Sequence, residues 1–343
     1  MRVLVVRVGA MGDVAHALPA VAALRRNRPD WVIDWAVDPR WAPLLVSAQD
    51  EAPVVHRVCL AETKLWSGRP LSVATLRSIL TLRREVGRAH YDLVVDMQGT
   101  LRSAVIGWMA GAREFSGYSD PRESPAAWFY KRRVERRGRH VVDQGAALLG
   151  EACGVALEGE AFALPHDRRA EDWAAEVERA QSRAQRRVCV LAVGGGWRAK
   201  LWPAERYGEL ARRLQAMGLD VVVNAAQRND PLAAEVVAVS GGAARVVVCD
   251  VAGLIALLRR TALLIGGDSG PTHLAAALGT PLVALFGPTD PERNGPWGPG
   301  RKVVLRDRDS VTSYRHVDRL DPGLAKLPVS AVQDAAQGVL AGG

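Results

Sequence analysis

No stretch of the chain approaches the ~20 consecutive apolar residues that cross a bilayer, so no membrane span is expected. The apolar opening, residues 3–8, is interrupted by Arg7 and followed by no cleavage pattern. A buried first strand fits it better than a secretory leader. Cysteine is scarce: Cys59, Cys153, Cys189 and Cys249 stand far apart, in no metal-binding or redox spacing. That argues against a disulfide scaffold and for a reduced, cytoplasmic setting. The seven histidines show no paired ligand spacing, and no metal site is expected. Gly9 and Gly12 lack the third glycine of a dinucleotide fingerprint, and no nucleic-acid-binding module is recognisable. Acidic residues are the minority, 37 against 45 lysines and arginines, for a net charge of +8. A basic chain of this kind suits anionic partners such as nucleotides, phosphorylated lipids or an anionic leaflet.

What is present is an alternation of short apolar runs with helical patterns. Strands are expected at 2–8, 31–37, 54–60 and 91–97. Helices are expected at 14–26, 41–46, 71–89 and 101–109. From 113 to 140 the pattern breaks into loop chemistry, and 141–153 reads as a helix again. Residues 156–187 look like a link, with a charged helix over 169–185. A second βα series follows, with strands at 188–193, 219–224, 245–249, 262–265 and 282–286. The expected class is α/β, doubly wound. At 343 residues two domains fit: 1–165, 166–327, and a closing helix, 328–343, expected to pack back on the first domain.

Three turns carry the candidate chemistry. The first strand empties into Gly9-Ala10-Met11-Gly12-Asp13, where Asp13 sits at the start of a helix and capping is its bland role. The strand at 188–193 empties into Gly194-Gly195-Gly196-Trp197-Arg198-Ala199-Lys200. The third turn is Gly266-Gly267-Asp268-Ser269-Gly270-Pro271-Thr272-His273. Pro271 suits a first helical turn and Gly279 the position just past the helix end. A helix start made of Gly and Ser offers free N–H groups to an anion, although an ordinary capped βα turn would look the same. A further turn, Phe286-Gly287-Pro288-Thr289-Asp290-Pro291, lies one strand later and favours a ligand crevice. Asp307-Arg308-Asp309 is literally a D-x-D triplet, but the charged stretch 301–309 reads as solvated surface. Six cations, Lys131, Arg132, Arg133, Arg136, Arg137 and Arg139, follow Trp128, Phe129 and Tyr130. They are expected to face an anionic acceptor or leaflet, the alternative being a merely solubilising surface.

In this order the three turns, with His16, Leu18 and Pro19 after the first, resemble the ADP-heptose:lipopolysaccharide heptosyltransferases of glycosyltransferase family 9. The likeness spans nearly the whole chain. Asp34-Trp35, Asp96-Met97-Gln98-Gly99, Arg122-Glu123, and Phe129-Tyr130 ahead of His140 point to the branch that adds the first heptose to Kdo. The resemblance implies a GT-B architecture, two Rossmann-like domains facing across a cleft, the first taking the acceptor and the second the nucleotide sugar. It implies inverting, metal-independent transfer with no cofactor, the ADP-sugar being a substrate. Asp13 matches the general base, and Lys200 the lysine that holds the donor phosphates during catalysis. Gly195, Gly196, Asp268, Ser269, Gly270, Thr272 and His273 match donor positions. Gly12, His16, Lys64, Trp66, Gln98, Arg122 and His140 fall where acceptor contacts are expected. The implied partners are ADP-heptose, Kdo-lipid A and the inner face of the inner membrane, met peripherally from the cytoplasm, with no nucleic acid. Two departures stand out: glycines replace the family's frequent hydroxyl residues at 195 and 196, and Lys64 neighbours Glu62 and Thr63 rather than further basic residues. Open alternatives are a family 9 enzyme with another sugar or acceptor (heptosyltransferase II among them), a nucleotide-sugar epimerase of the same fold, or a binding scaffold.

Overall fold

The computed structural model describes residues 1–343 apart from 50, 180–185, 316, 317 and 343. The chain divides into two compact units, Met1–Pro165 and His166–Gly343. In the first, the strands are β1 (Arg2–Val6), β2 (Val32–Val37), β3 (Arg57–Leu60), β4 (Leu93–Asp96), β5 (Glu114–Tyr118) and β6 (Arg132–Val134). The helices are α1 (Met11–Asn27), α2 (Thr63–Gly68), α3 (Val73–Arg88), α4 (Leu101–Met109) and α5 (Val141–Cys153). All strands are parallel, in the order β3-β2-β1-β4-β5-β6. The central strands β1 and β4 are buried on both faces, which is why they read as unbroken apolar runs rather than alternating ones.

The second unit repeats the plan. Its helices are α6 (Arg168–Arg179), α7 (Ala204–Ala216), α8 (Pro231–Val239), α9 (Val251–Arg259), α10 (Gly270–Leu278), α11 (Pro291–Asn294), α12 (Pro322–Lys326) and α13 (Val329–Ala341). The strands are β7 (Arg187–Ala192), β8 (Leu219–Ala225), β9 (Ala244–Val248), β10 (Leu263–Gly267), β11 (Leu282–Phe286) and β12 (Lys302–Arg306), again all parallel, in the order β12-β11-β10-β7-β8-β9. Each sheet thus reverses its direction of growth at one point, between β1 and β4 in the first unit and between β7 and β10 in the second. Ligands of open α/β sheets bind at the carboxyl ends of strands flanking such a point.

Three expectations need correction. Residues 113–140 are not loop throughout, because β5 and β6 extend the sheet there. Their sequences hide it: Gly117 leaves room for the Tyr130 ring, whose atoms would lie within 2.4 Å of a side-chain carbon at 117. The strand β6 is an edge, where its two exposed arginines are tolerated and discourage further pairing. The stretch 301–309 likewise contains an edge strand, β12, beside β11. A third omission is α8, opened by Asp230, whose carboxylate accepts from the Leu232 and Ala233 N–H groups at 3.0 Å. In α13, Val329, Val332, Ala336 and Val339 complete the second unit's core with Trp202, Leu210 and Leu214. Of the charged helix expected over 169–185, residues 168–179 are helical and 180–185 lie outside the described residues. Among the described residues no helix is long and apolar enough to cross a membrane.

Candidate active site

In the first unit the loop after β1 is held from β4. The Gln98 side-chain oxygen accepts from the N–H groups of Val8 and Gly9, at 3.1 and 3.3 Å. The Trp35 indole donates to the Arg7 carbonyl at 3.0 Å. Arg7, the residue that interrupts the first apolar run, reaches the Met97 carbonyl and pairs with the Asp13 carboxylate at 3.0 Å. Asp13 is not the N-cap: α1 begins at Met11 after Ala10, and Asp13 reaches back to the Ala10 N–H at 3.1 Å. Its side chain remains 40% exposed, so a carboxylate fixed by a guanidinium and a helix N-terminus still meets solvent. Gly12 lies in that same first turn.

Below this loop Asp96 is wholly buried. It accepts from the N–H groups of Gln98 and Gly99 at 2.8 and 3.1 Å, and from the hydroxyls of Ser103 and Tyr130 at 2.8 and 2.7 Å. Burial pushes its carboxyl up despite these four bonds, of which the Tyr130 hydroxyl opposes the shift most. The loop, α2, α3, α4 and the stretches at 40–41 and 122–123 line a cavity of about 740 Å³. Its wall is basic at Arg40, Arg102 and Arg122 and apolar at Trp66, Ile79 and Met109. Of the predicted acceptor residues, Trp66, Gln98 and Arg122 line this cavity. Lys64 is exposed on α2, beside the lining residue Thr63. His16 and His140 form a second group, ring edge to ring face at 5.6 Å between α1 and α5, with His140 Nδ1 accepting from the Val142 N–H as the cap of α5. The sequence reading passed over Arg7 and Arg40 as site residues. The charge at position 7, inside an apolar strand, was the available signal for the first.

In the second unit the loops after β7 and β10 meet at the switch point. The Lys200 ammonium donates to Asp268 Oδ2 at 2.6 Å, and the Thr289 hydroxyl donates to the same oxygen at 2.7 Å. His273 Nε2 lies 2.8 Å from Asp268 Oδ1. Asp268 is buried, which by itself would raise its pKa. The bond and charge of His273, then the charge of Lys200, more than offset this and hold the carboxyl well below the usual carboxylate range. Asp268 therefore ties three loops together, and His273 packs beneath its own loop with Asp268 as partner. The ammonium of Lys200 has three donors, so its bond to Asp268 leaves two for a ligand. Gly267 is required here, since a side-chain carbon would come within 2.8 Å of the Lys200 carbonyl.

Ser269 precedes α10, and its hydroxyl does not cap the helix. Gly270 and Pro271 open the first turn, and Gly279 closes the helix in the left-handed region at φ +79°. Thr272 is fully buried and its hydroxyl is committed to the Gly267 carbonyl at 2.7 Å, which leaves the backbone N–H, in the first turn of α10, as its other donor. Gly195 and Gly196 are exposed in the β7 loop, and open space surrounds position 196. Thr289, in a turn singled out from the sequence, is the participant that reading did not assign. Among the described residues no three His, Cys, Asp or Glu side chains gather to hold a metal. Asp309 is paired with Lys326 at 2.6 Å.

The model of "Glycosyltransferase family 9 (heptosyltransferase)" matches residues 79–322. The chain belongs to glycosyltransferase family 9. This family 9 glycosyltransferase is 30% identical to lipopolysaccharide heptosyltransferase 1 of Pseudomonas aeruginosa over 87% of its own length and 82% of the relative. It is 26% identical to the Escherichia coli K12 protein of the same name, over 91% and 95%. Among solved structures it superposes on the E. coli heptosyltransferase WaaC with ADP with a TM-score of 0.78, at 23% identity, covering 99% of this chain and 100% of that one. A family 9 glycosyltransferase from Veillonella parvula gives 0.84, at 22% identity, over 100% and 98%. The two parallel six-stranded sheets of this enzyme are those of the GT-B class expected from the sequence.

Proposed function

We propose that the enzyme transfers heptose from ADP-L-glycero-D-manno-heptose to Kdo of the lipopolysaccharide inner core, with inversion and without a metal or cofactor. The carrying observation is the pair of switch-point sites: a carboxylate at Asp13 in the first unit, and in the second a lysine, Lys200, held at the start of α10. The names of the relatives support the donor and the core acceptor. Inverting transfer is one in-line displacement at C1 of the sugar. The acceptor hydroxyl gives its proton to Asp13 as the bond to the ADP phosphate breaks. Asp13, fixed by Arg7 and the Ala10 N–H yet open to solvent, is a carboxylate of the first unit available to take that proton. The leaving diphosphate gains charge, met by the Lys200 ammonium and the N–H groups of Gly270 and Thr272. Asp268 and Thr289 fix the lysine, and the open loop at Gly195 and Gly196 leaves room for the phosphates. The basic wall at Arg40, Arg102 and Arg122 suits the carboxylate and phosphates of Kdo-lipid A. Such an acceptor brings the enzyme to the cytoplasmic face of the inner membrane.

The test is incubation of purified enzyme with ADP-heptose and Kdo-lipid A, with mass analysis of the lipid and assignment of the new anomeric centre. A gain of one heptose with inverted configuration, unaffected by EDTA, is expected. Retained configuration, a strict divalent-cation requirement, or transfer only to an already heptosylated acceptor would each overturn the corresponding element.

A further inference from the structure

On one face of the first sheet, α3 packs against α4 and α4 against the 3₁₀ turn Ser124–Phe129. The inner side of α3 is ordinary core, with Leu82 and Val86 buried. Its outer side is not an ordinary solvated face. Val73, Leu76 and Leu80, at i, i+3 and i+7, are exposed along one stripe, Leu76 by 58%, and Leu71 just ahead of the helix is 100% exposed. Leucines this bare cost free energy in water unless something covers them. Arginines flank the stripe: Arg77, Arg83, Arg84 and Arg88 are all exposed. The one acid of α3, Glu85, turns toward Arg57, so the outer side carries positive charge only. On the neighbouring elements Trp108 and Trp128 are 60% and 79% exposed. Tryptophan, with its apolar body and polar edge, is the residue that settles at a lipid headgroup boundary.

We infer that the outer face of α3, with Leu71 before it and Trp108 and Trp128 beside it, is a docking surface for an anionic lipid bilayer. The leucines enter the headgroup boundary while the arginines meet lipid phosphates, the arrangement of an interfacial amphipathic helix. Charge complementarity selects the bilayer, because a purely apolar partner would leave four arginines unmatched. The same two helices supply Ile79, Val105 and Met109 to the cavity of the first unit, so the docked face adjoins the space offered to the acceptor. The basic segment 131–139 is a poorer candidate. Arg136 pairs with Asp120 and stacks on Tyr118, while Arg132 and Arg137 both reach Glu151.

The experiment is sedimentation of the full chain with vesicles of phosphatidylethanolamine and phosphatidylglycerol, with neither donor nor acceptor present, so the outcome is independent of the transferase proposal. The wild type should bind, and vesicles of phosphatidylcholine alone should not retain it. Changing Leu71, Leu76 and Leu80 together to Ser should lower partitioning by at least ~30-fold. Arg77→Gln with Arg84→Gln should cost about fivefold per charge and remove part of the salt dependence. These positions are exposed, and an unchanged circular dichroism spectrum and melting temperature would show that the fold is kept. Wild-type partitioning by the leucine variant, or no binding by the wild type, overturns the inference. So does loss of binding only when Arg132, Arg133, Arg136 and Arg137 are changed to Ser.

Discussion

Asp268 gathers more of the second unit's chemistry than any other single residue. Replacing it with Asn removes the counter-charge of Lys200 and the partner of His273, both largely buried. Breaking a buried pair from one side costs about 3 kcal/mol or more. Because the folded carboxyl is held low, its stabilisation is complete above the unfolded value of about 4 and drains away as pH falls through the depressed folded value. The gap in urea midpoint between wild type and Asp268→Asn should therefore be constant from pH 7 to 5 and narrow below about pH 4. A gap that widens on acidification would contradict this linkage. Asp13 gives a different expectation. It is half-exposed at the first turn of α1, so Asp13→Asn should leave the melting temperature nearly unchanged and lower the rate ~10² to 10⁴-fold with ADP affinity intact. Lys200→Ala should weaken ADP-sugar binding and slow the chemistry together, since the ammonium meets charge that grows in the transition state. A change in KM alone would mean that it serves binding only.

At the scale of an element, the segment 131–139 shows how local pairing changes what a charge run does. Read as sequence, six cations after three aromatics suggest a surface for anions. Folded, β6 is the last strand of the sheet. The Arg133 guanidinium donates to the Ala127 carbonyl, and Lys131 donates to that of Arg113. The quadruple change of Arg132, Arg133, Arg136 and Arg137 to Ser should consequently show as a modest loss of stability, on the order of 1–2 kcal/mol from several partly exposed pairs. Thermal melts report it directly. A large rise in acceptor KM at unchanged stability would restore these arginines to the acceptor site. The loop into α10 behaves in the opposite way, since its three segments meet on one carboxylate and Gly267 touches the Lys200 backbone. Gly267→Ala should disturb donor binding without removing any functional group.

At the scale of the molecule, each unit has its own parallel sheet and core. Every residue assigned to the donor lies in the second. Residues 166–343 expressed alone should fold and bind ADP with an affinity close to that of the whole chain, as read by titration calorimetry, while transferring nothing. Failure of that fragment to bind ADP would mean that the donor site needs residues of the first unit.

The sequence by itself determined the α/β class, the strands β1 to β4 and β7 to β11, and the positions of the three turns. Buried parallel strands need continuous apolar runs, and glycine, proline and aspartate mark the turns between them. It also carried the family, through Gly9 to Asp13 and Gly267 to His273 as spaced strings. Tertiary structure alone decided which strands flank the switch points, and so that Gln98 grips the backbone after β1 from across the sheet. It also decided the edge strands β6 and β12, whose charges read as surface because one side of an edge is surface. The partners of Asp268 could not be read either: Lys200, His273 and Thr289 lie 68, 5 and 21 positions away in the chain. A hydrogen bond depends on distance in space, and only the stacking of parallel strands brings those positions to one carboxylate.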